Sequence, residues 1–378
     1  MGEERDLVVI GGGPAGAAAA RAAADLGRPA LVLEARPPLR GKPCAGVIAA
    51  GALGLVEERF GPTPADALAT PALLPAVRLH LGPRERYDLR PGWPAVRVLR
   101  RAFDGHLLAR SGAEVRHDAR VERIDLPTRP GAPTRLLLEG GEALLARCVV
   151  VAAGATSALV PFGPGRRDLV FGGRVRYPGR PPEGRDLLLL GAQALVAIDP
   201  DGPDGVSITT TLKRPTDWKA AHAAGLAFAL GPLGLALRRE RGAEFGWLAR
   251  GGPALGQGAV LLAGDAAGLC LALGLGLEAA VRSGLAAGAA AAAYVAGDEP
   301  EPLRAYRRAL EPLLQRRTAE GRAAALVRGR VTGFDEATVL GQALSDAPLA
   351  RRVVFGHRLH RLVRSLDRAE APPRGFPL

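Results

Sequence analysis

The residues best suited to chemistry cluster at three points along the chain. Near the start, the apolar run Asp6 to Ile10 meets Gly11-Gly12-Gly13-Pro14-Ala15-Gly16. An alanine-rich segment follows, and a second apolar run, Ala30 to Leu33, ends at Glu34. This spacing predicts strand, tight turn, helix and strand, with an acid at the second strand's tip. That is the βαβ pattern of a dinucleotide fold. Gly11 permits the turn, Gly13 lets a pyrophosphate approach the backbone, and Gly16 lets helix and strand pack closely. At Pro14 and Ala15 the helix start offers N–H groups and a partial positive charge to phosphate. Glu34, followed by Ala35 and Arg36, is placed to accept hydrogen bonds from an adenosine ribose. A plain turn before a buried helix would share the glycines but not the acid and second strand.

Far downstream, Gly258 to Ala263 reads as a strand running into Gly264-Asp265-Ala266-Ala267-Gly268, with a helix from about Leu277. An acid at a strand end, opening onto a glycine-rich loop and helix, can hold a chain of hydroxyls such as the ribityl of FAD. The competing reading makes Asp265 a helix cap, worth about 1 kcal/mol. Paired with Gly11 to Gly16, the motif favours FAD over NAD. The third point is Lys42-Pro43-Cys44. Cys44 precedes a helix expected to start near Val47, where a thiol pKa falls; a cysteine is equally a small, easily buried hydrophobe. Lys42 suits a phosphate or substrate contact, and equally a solvated loop charge.

These motifs require an α/β fold. We expect a Rossmann-like FAD-binding domain with a parallel sheet, interlocked with an antiparallel-sheet substrate domain and followed by C-terminal helices. The FAD domain takes residues 1–44, 97–162 and 257–298, the substrate domain 45–96 and 163–256, and the helical region 299–378. A strand pair is expected around Val77 to Leu89, a helix from Phe103 to Ser111, and two strands within Arg135 to Val151. A strand at Gly172 to Tyr177 lies in a Pro/Gly-rich stretch. Strands at Leu187 to Ile198 and Val206 to Leu212 flank a strong turn sequence, Asp199 to Gly205, and read as a hairpin.

The chain resembles the geranylgeranyl reductase family, within the flavoproteins related to p-hydroxybenzoate hydroxylase. The resemblance rests on Gly11 to Gly16, Lys42-Pro43-Cys44, Arg100-Arg101-Ala102-Phe103-Asp104, Ala153-Gly154-Ala155-Thr156-Ser157, and Gly264 to Gly268 with Ser283-Gly284. It implies that Arg100 helps hold FAD and that Cys44, with Ala45, lies near the flavin ring. It also implies that Ala153, Gly154, Gly264, Asp265, Gly274 and Gly276 border the cofactor. The chain departs from the family at Leu195-Val196-Ala197-Ile198-Asp199-Pro200, where an aromatic Tyr-x-Trp-x-Phe-Pro segment is usual. It departs again at Ala272 to Gly276, which replaces Pro-Leu-Thr-Gly-x-Gly. Ala153 stands where related hydroxylases carry an aspartate, which weakens direct NADPH use in that style.

Composition bounds the rest. The chain has 378 residues, 48% of them hydrophobic and 4% aromatic, with a formal net charge of +12. That length can bury a sizeable core in two domains. The charge comes mostly from arginine. It lacks the aromatic-interleaved basic blocks of a nucleic-acid reader, so we expect no nucleic acid partner and read peripheral contact with an anionic membrane surface instead. Cys44, Cys148 and Cys270 show no paired spacing, which argues against disulfides and a zinc site and for a reducing, cytoplasmic setting. No signal peptide is visible, and the longest apolar run, Gly284 to Gly297, is short for a membrane span. His357 and His360 share a helix face without completing a metal site, so no metal is expected. Arg358, Arg361 and Arg364 with Leu359, Leu362 and Val363 make a basic amphipathic segment, read as a packed helix with an exposed basic face. Oligomeric state is open, with a monomer favoured.

The function expected is FAD-dependent reduction of carbon–carbon double bonds in a prenyl or lipid-like substrate, with Cys44 the catalytic candidate. The electron donor is open between NADPH, ferredoxin and reduced flavin. A flavin monooxygenase that hydroxylates or epoxidises an apolar molecule is the alternative, and a non-catalytic flavoprotein binding a lipid or partner is a third.

Overall fold

Apolar, β-branched runs punctuated by glycine turns set the element order. In chain order the elements are β1 (Glu3–Ile10), α1 (Pro14–Asp25), β2 (Leu31–Leu33), β3 (Val47–Ala49), α2 (Ala50–Phe60), β4 (Leu68–Leu74), β5 (Val77–His80), β6 (Arg86–Leu89), β7 (Ala95–Val98) and α3 (Arg100–Ala109). They continue with β8 (Glu114–Arg116), β9 (Val121–Asp125), β10 (Thr134–Leu138), β11 (Ala143–Val151), β12 (Asp168–Pro178), β13 (Arg185–Leu190), β14 (Ala194–Pro200), β15 (Gly205–Leu212) and α4 (Trp218–Leu230). The last are β16 (Gly242–Arg250), β17 (Gly256–Gln257), β18 (Val260–Leu262), α5 (Gly276–Ala296) and α6 (Pro302–Arg328). This computed structural model describes residues 3–38, 42, 44–74, 77–80, 86–89, 95–129, 131–159, 168–190, 194–212, 215–240, 242–250, 253–270 and 276–328. Gly274, Pro43 and the C-terminal histidine and arginine segment lie outside them.

The described residues within 3–72, 96–171 and 245–311 form one compact unit, and those within 73–95, 172–244 and 312–328 a second. The first unit holds a sheet in the order β17-β18-β11-β1-β2-β8, with β9 and β10 attached through β11. Its centre is parallel: Val9 stands beside Val150 on one side and Val32 on the other, and Val150 beside Leu261. Parallel strands are covered on both faces, so Leu7 to Ile10, Leu31 to Leu33 and Cys148 to Val151 are buried without alternation. Nearly every residue of α1 is Ala or Gly, and α5 packs along it closely enough that a Cβ on Gly284 would strike the Ala15 carbonyl and one on Gly288 the Ala19 carbonyl. A further core joins Ile48, Val56, Phe60, Phe103, Leu107 and Val281.

The second unit is built on a sheet in the order β16-β12-β15-β14-β13-β5-β6. The β14–β15 hairpin forms as its turn sequence predicts, with Ile198 opposite Ile208. α4 packs on one face through Phe228, over Tyr177, Val196, Ile198 and Ile208.

Five expectations change. The single strand expected from Leu187 to Ile198 is two antiparallel strands, β13 and β14, with Leu188 opposite Val196. Folding back puts two apolar segments side by side on one core face, which a single long strand could not do. The sheet is not wholly antiparallel, since β5 runs parallel to β13. The helix expected near Val47 begins at Ala50, after a short strand, and α3 begins at Arg100 rather than Phe103. Finally, the apolar run from Gly284 belongs to the 21-residue α5, which is long and apolar enough to cross a membrane by length and composition; 56% of its most apolar window is buried within the protein.

Candidate cofactor site

β1 delivers the chain into a turn that only glycine accommodates. Gly11 has φ of 101°, and a Cβ there would lie 2.6 Å from the Ala152 carbonyl oxygen and 3.1 Å from the Ala153 Cα. The turn is therefore pressed against the Ala153-Gly154 segment that leaves β11, where Gly154 also has positive φ, 86°. A Cβ on Gly16 would strike the Gly11 carbonyl oxygen. Gly13 is the N-cap of α1 in extended conformation, Pro14 opens the helix, and no side chain caps it. The helix start is thus clear of its own side chains, as a phosphate-binding terminus must be.

Glu34 closes this pocket from β2. Its carboxylate is 6% exposed and accepts the Gly12 N–H at 2.7 Å and the Arg36 N–H at 3.1 Å. A buried acid at the strand tip is held against the glycine turn, with Ala35 linking it to the Arg36 donor.

The Asp265 region comes to the same unit through β18. Gly264, at φ of 61°, donates its N–H to Ser283 Oγ at 2.9 Å, and that hydroxyl donates to the Ala279 carbonyl at 2.6 Å. Asp265 lies in the short 3₁₀ turn Gly264–Ala267. Its Oδ2 meets Lys42 Nζ at 3.2 Å, so Lys42 is more than a solvated loop charge. A Cβ on Gly276 would sit 3.6 Å from both Asp265 Oδ1 and Cys270 Sγ. Gly276, Asp265 and the buried Cys270 are therefore neighbours.

Cys44 is half-buried, and its Sγ accepts the Gly46 N–H at 3.4 Å. Burial alone would raise its pKa, but the Arg100 guanidinium, the Gly46 N–H and the Lys42 charge outweigh that and hold the thiol below its ordinary range. The helix N-terminus expected to lower it is absent, because β3 follows Cys44; a cation does that work instead. Arg100 is itself fixed by Asp104 one turn along α3, with Nε to Oδ1 at 2.8 Å and a second bond at 2.7 Å. Cys148 is the opposite case: burial pushes its thiol up to about 12, and it donates to the Ala259 carbonyl at 3.1 Å. Sequence reasoning passed over Arg97, which is 1% exposed and points Nε at the Ala45 carbonyl from 3.5 Å. Its signal was its place inside an alternating strand three residues before Arg100.

The first unit thus brings together the glycine turn, Glu34, Ala153-Gly154, and the Lys42–Asp265 pair beside Cys44 and Arg100. Gly274 cannot be placed. A phosphate-ready helix start, a buried ribose acceptor and a strand-end carboxylate beside Gly276 fit FAD. Residues 6–67 match the FAD binding domain family, and FAD is the cofactor of this chain. No curated protein sequence matches the chain. Among solved structures it is similar to a geranylgeranyl bacteriochlorophyll reductase-like protein from Thermoplasma acidophilum, at 18% identity and TM-score 0.71, over 98% of this chain and 93% of that one. It is also similar to a flavoprotein/dehydrogenase from Cytophaga hutchinsonii, at 18% identity and TM-score 0.66, over 98% and 100% of the chains. The myxobacterial chondrochloren halogenase gives 18% identity and TM-score 0.65, over 98% of both. These likenesses show that the chain shares the fold of these proteins.

Proposed function

We propose that this chain is an FAD-dependent oxidoreductase that reduces carbon–carbon double bonds of a prenyl or lipid-like substrate. The observation that carries the reading is the Cys44 thiol, held near Arg100 and the Lys42–Asp265 pair within the unit that binds FAD. Bound FAD, once reduced by a two-electron donor, would supply a hydride to one alkene carbon and return to its oxidised form. The chain must then deliver a proton to the other. A thiol whose pKa is brought down toward the working pH both gives and takes a proton readily, so Cys44 Sγ is the proton-carrying atom in this reading. Arg100 keeps that sulfur positioned and stabilises it between deliveries. The Thermoplasma acidophilum likeness, to a protein described as geranylgeranyl bacteriochlorophyll reductase-like, supports the same substrate class. The formal net charge of +12 suits an anionic lipid surface as the place where such a substrate is met.

The test is anaerobic. The purified holoprotein is photoreduced and mixed with geranylgeranyl diphosphate or with its saturated analogue. Reoxidation of the flavin by the first and not the second is expected. Flavin that stays reduced with geranylgeranyl diphosphate and with menaquinone, and reoxidises only in air, would overturn the proposal in favour of oxygen chemistry.

A further inference from the structure

Strand alternation sorts the second unit's sheet into two faces. Val196 and Ile198 of β14 and Ile208 of β15 join the core beneath α4. The intervening positions share the opposite face: Leu195, Ala197 and Asp199 on β14, and Ser207 and Thr209 on β15. Asp199 stands directly across from Ser207, and Ala197 across from Thr209. Asp199 and Ser207 are both 0% exposed. Both carboxylate oxygens of Asp199 and the hydroxyls of Ser207 and Thr209 are buried without a hydrogen-bond partner among the described residues. Arg185 Nε lies 3.3 Å from Asp199 Oδ1, close enough for charge attraction, yet it too makes no hydrogen bond.

A buried polar group without a partner is destabilising, and native chains keep few of them. Here a carboxylate and two hydroxyls stand together on adjacent strands, with the apolar Leu195 and Ala197 beside them. We propose that this row is a substrate subsite that receives a hydroxyl group. The hydroxyl donates to Asp199 and accepts from Ser207 or Thr209, while the apolar body lies along Ala197 and Leu195. Arg185 already balances the Asp199 charge, so a neutral donor–acceptor group matches the row better than a second cation. These atoms are closed to water in this structure, so occupancy requires the face to open locally. The inference rests on the lipid-like substrate proposed above and refines it: the substrate is an alcohol rather than a bare hydrocarbon.

The test uses the FAD-loaded full chain, with Asp199→Asn and Asp199→Leu. Binding of geranylgeraniol and of its methyl ether is measured, together with melting temperature in the absence of either. Wild type should bind the alcohol about tenfold more tightly than the ether, the size expected for one hydrogen bond to a charged group. Asp199→Leu should erase that preference, and any fall in its melting temperature reports the Arg185 charge left without its counter-ion. Wild type that binds both equally, or neither, overturns the subsite. So do two variants that both melt several degrees lower and leave the preference intact, which would make Asp199 structural. The binding preference is independent of turnover. An alcohol preference without alkene reduction would sink the reductase reading alone, and reduction without the preference would sink the subsite alone.

Discussion

Cys44 and Glu34 show how far a residue's role can be read before its surroundings are known. Glu34 was legible because the βαβ pattern fixes an acid at the tip of the second strand, and the structure puts its carboxylate 2.7 Å from the Gly12 N–H. Cys44 was legible as a candidate, but the reason given for its reactivity was wrong. Its depressed pKa depends on Arg100, a long-range neighbour that no local pattern around Val47 reveals. Alkylation of Cys44 by iodoacetamide should continue to a lower pH than an ordinary thiol allows, since the thiolate survives there, while Cys148 stays unreactive through neutral pH. Arg100→Leu should move the Cys44 profile upward, and an unmoved profile would remove Arg100 as the cause. Glu34→Gln should weaken FAD binding about tenfold or more, the range expected when a hydrogen bond to a charged acceptor is lost. Fluorescence titration of the apoprotein with FAD measures it.

At the scale of elements, the close approach of α1 and α5 is the most exacting feature of the first unit. Small residues were visible in both helices, yet nothing in the sequence said that Gly284 and Gly288 face the Ala15 and Ala19 carbonyls, because that contact forms between segments far apart in the chain. Gly288→Ala should force the helices apart and cost about 1–3 kcal/mol, as overpacking does. Thermal unfolding would show it as a melting temperature lower by several degrees. Gly54, with open space at its Cβ position, should tolerate Ala with no such loss. The division of Leu187 to Ile198 into β13 and β14 escaped detection for a related reason. Both halves are apolar, and the short Gly191-Ala192-Gln193 interruption carries none of the strong turn chemistry of Asp199 to Gly205, so the pairing of Leu188 with Val196 is what separates them.

Across the whole molecule, the first unit was more legible than the second because nucleotide binding constrains residue types at fixed spacings, whereas the second unit's sheet carries no such motif. The second unit hides an ionic cluster: Asp186, 0% exposed, takes two 2.7 Å bonds from Arg78 and one of 2.8 Å from His80 Nε2. Burial pushes the Asp186 carboxyl upward, but the bonds to His80 and Arg78 outweigh it and hold the group below the usual carboxylate range. A depressed carboxylate adds stability above its unfolded pKa of about 3.9 and loses it as pH falls through the folded value. Acid should therefore destabilise wild type below about pH 4, and Asp186→Asn should be less stable at neutral pH with a shallower acid dependence. Equal acid dependence in the two proteins would place the sensitivity elsewhere.

In the proposed reaction the flavin adds hydrogen to an alkene rather than oxygen to a substrate. This is tested most directly by turning over geranylgeranyl diphosphate under ¹⁸O₂ with a chemical reductant and weighing the product. The expected product gains two hydrogens for each double bond reduced and no heavy oxygen. A product that carries ¹⁸O, with its double bonds otherwise intact, would contradict it.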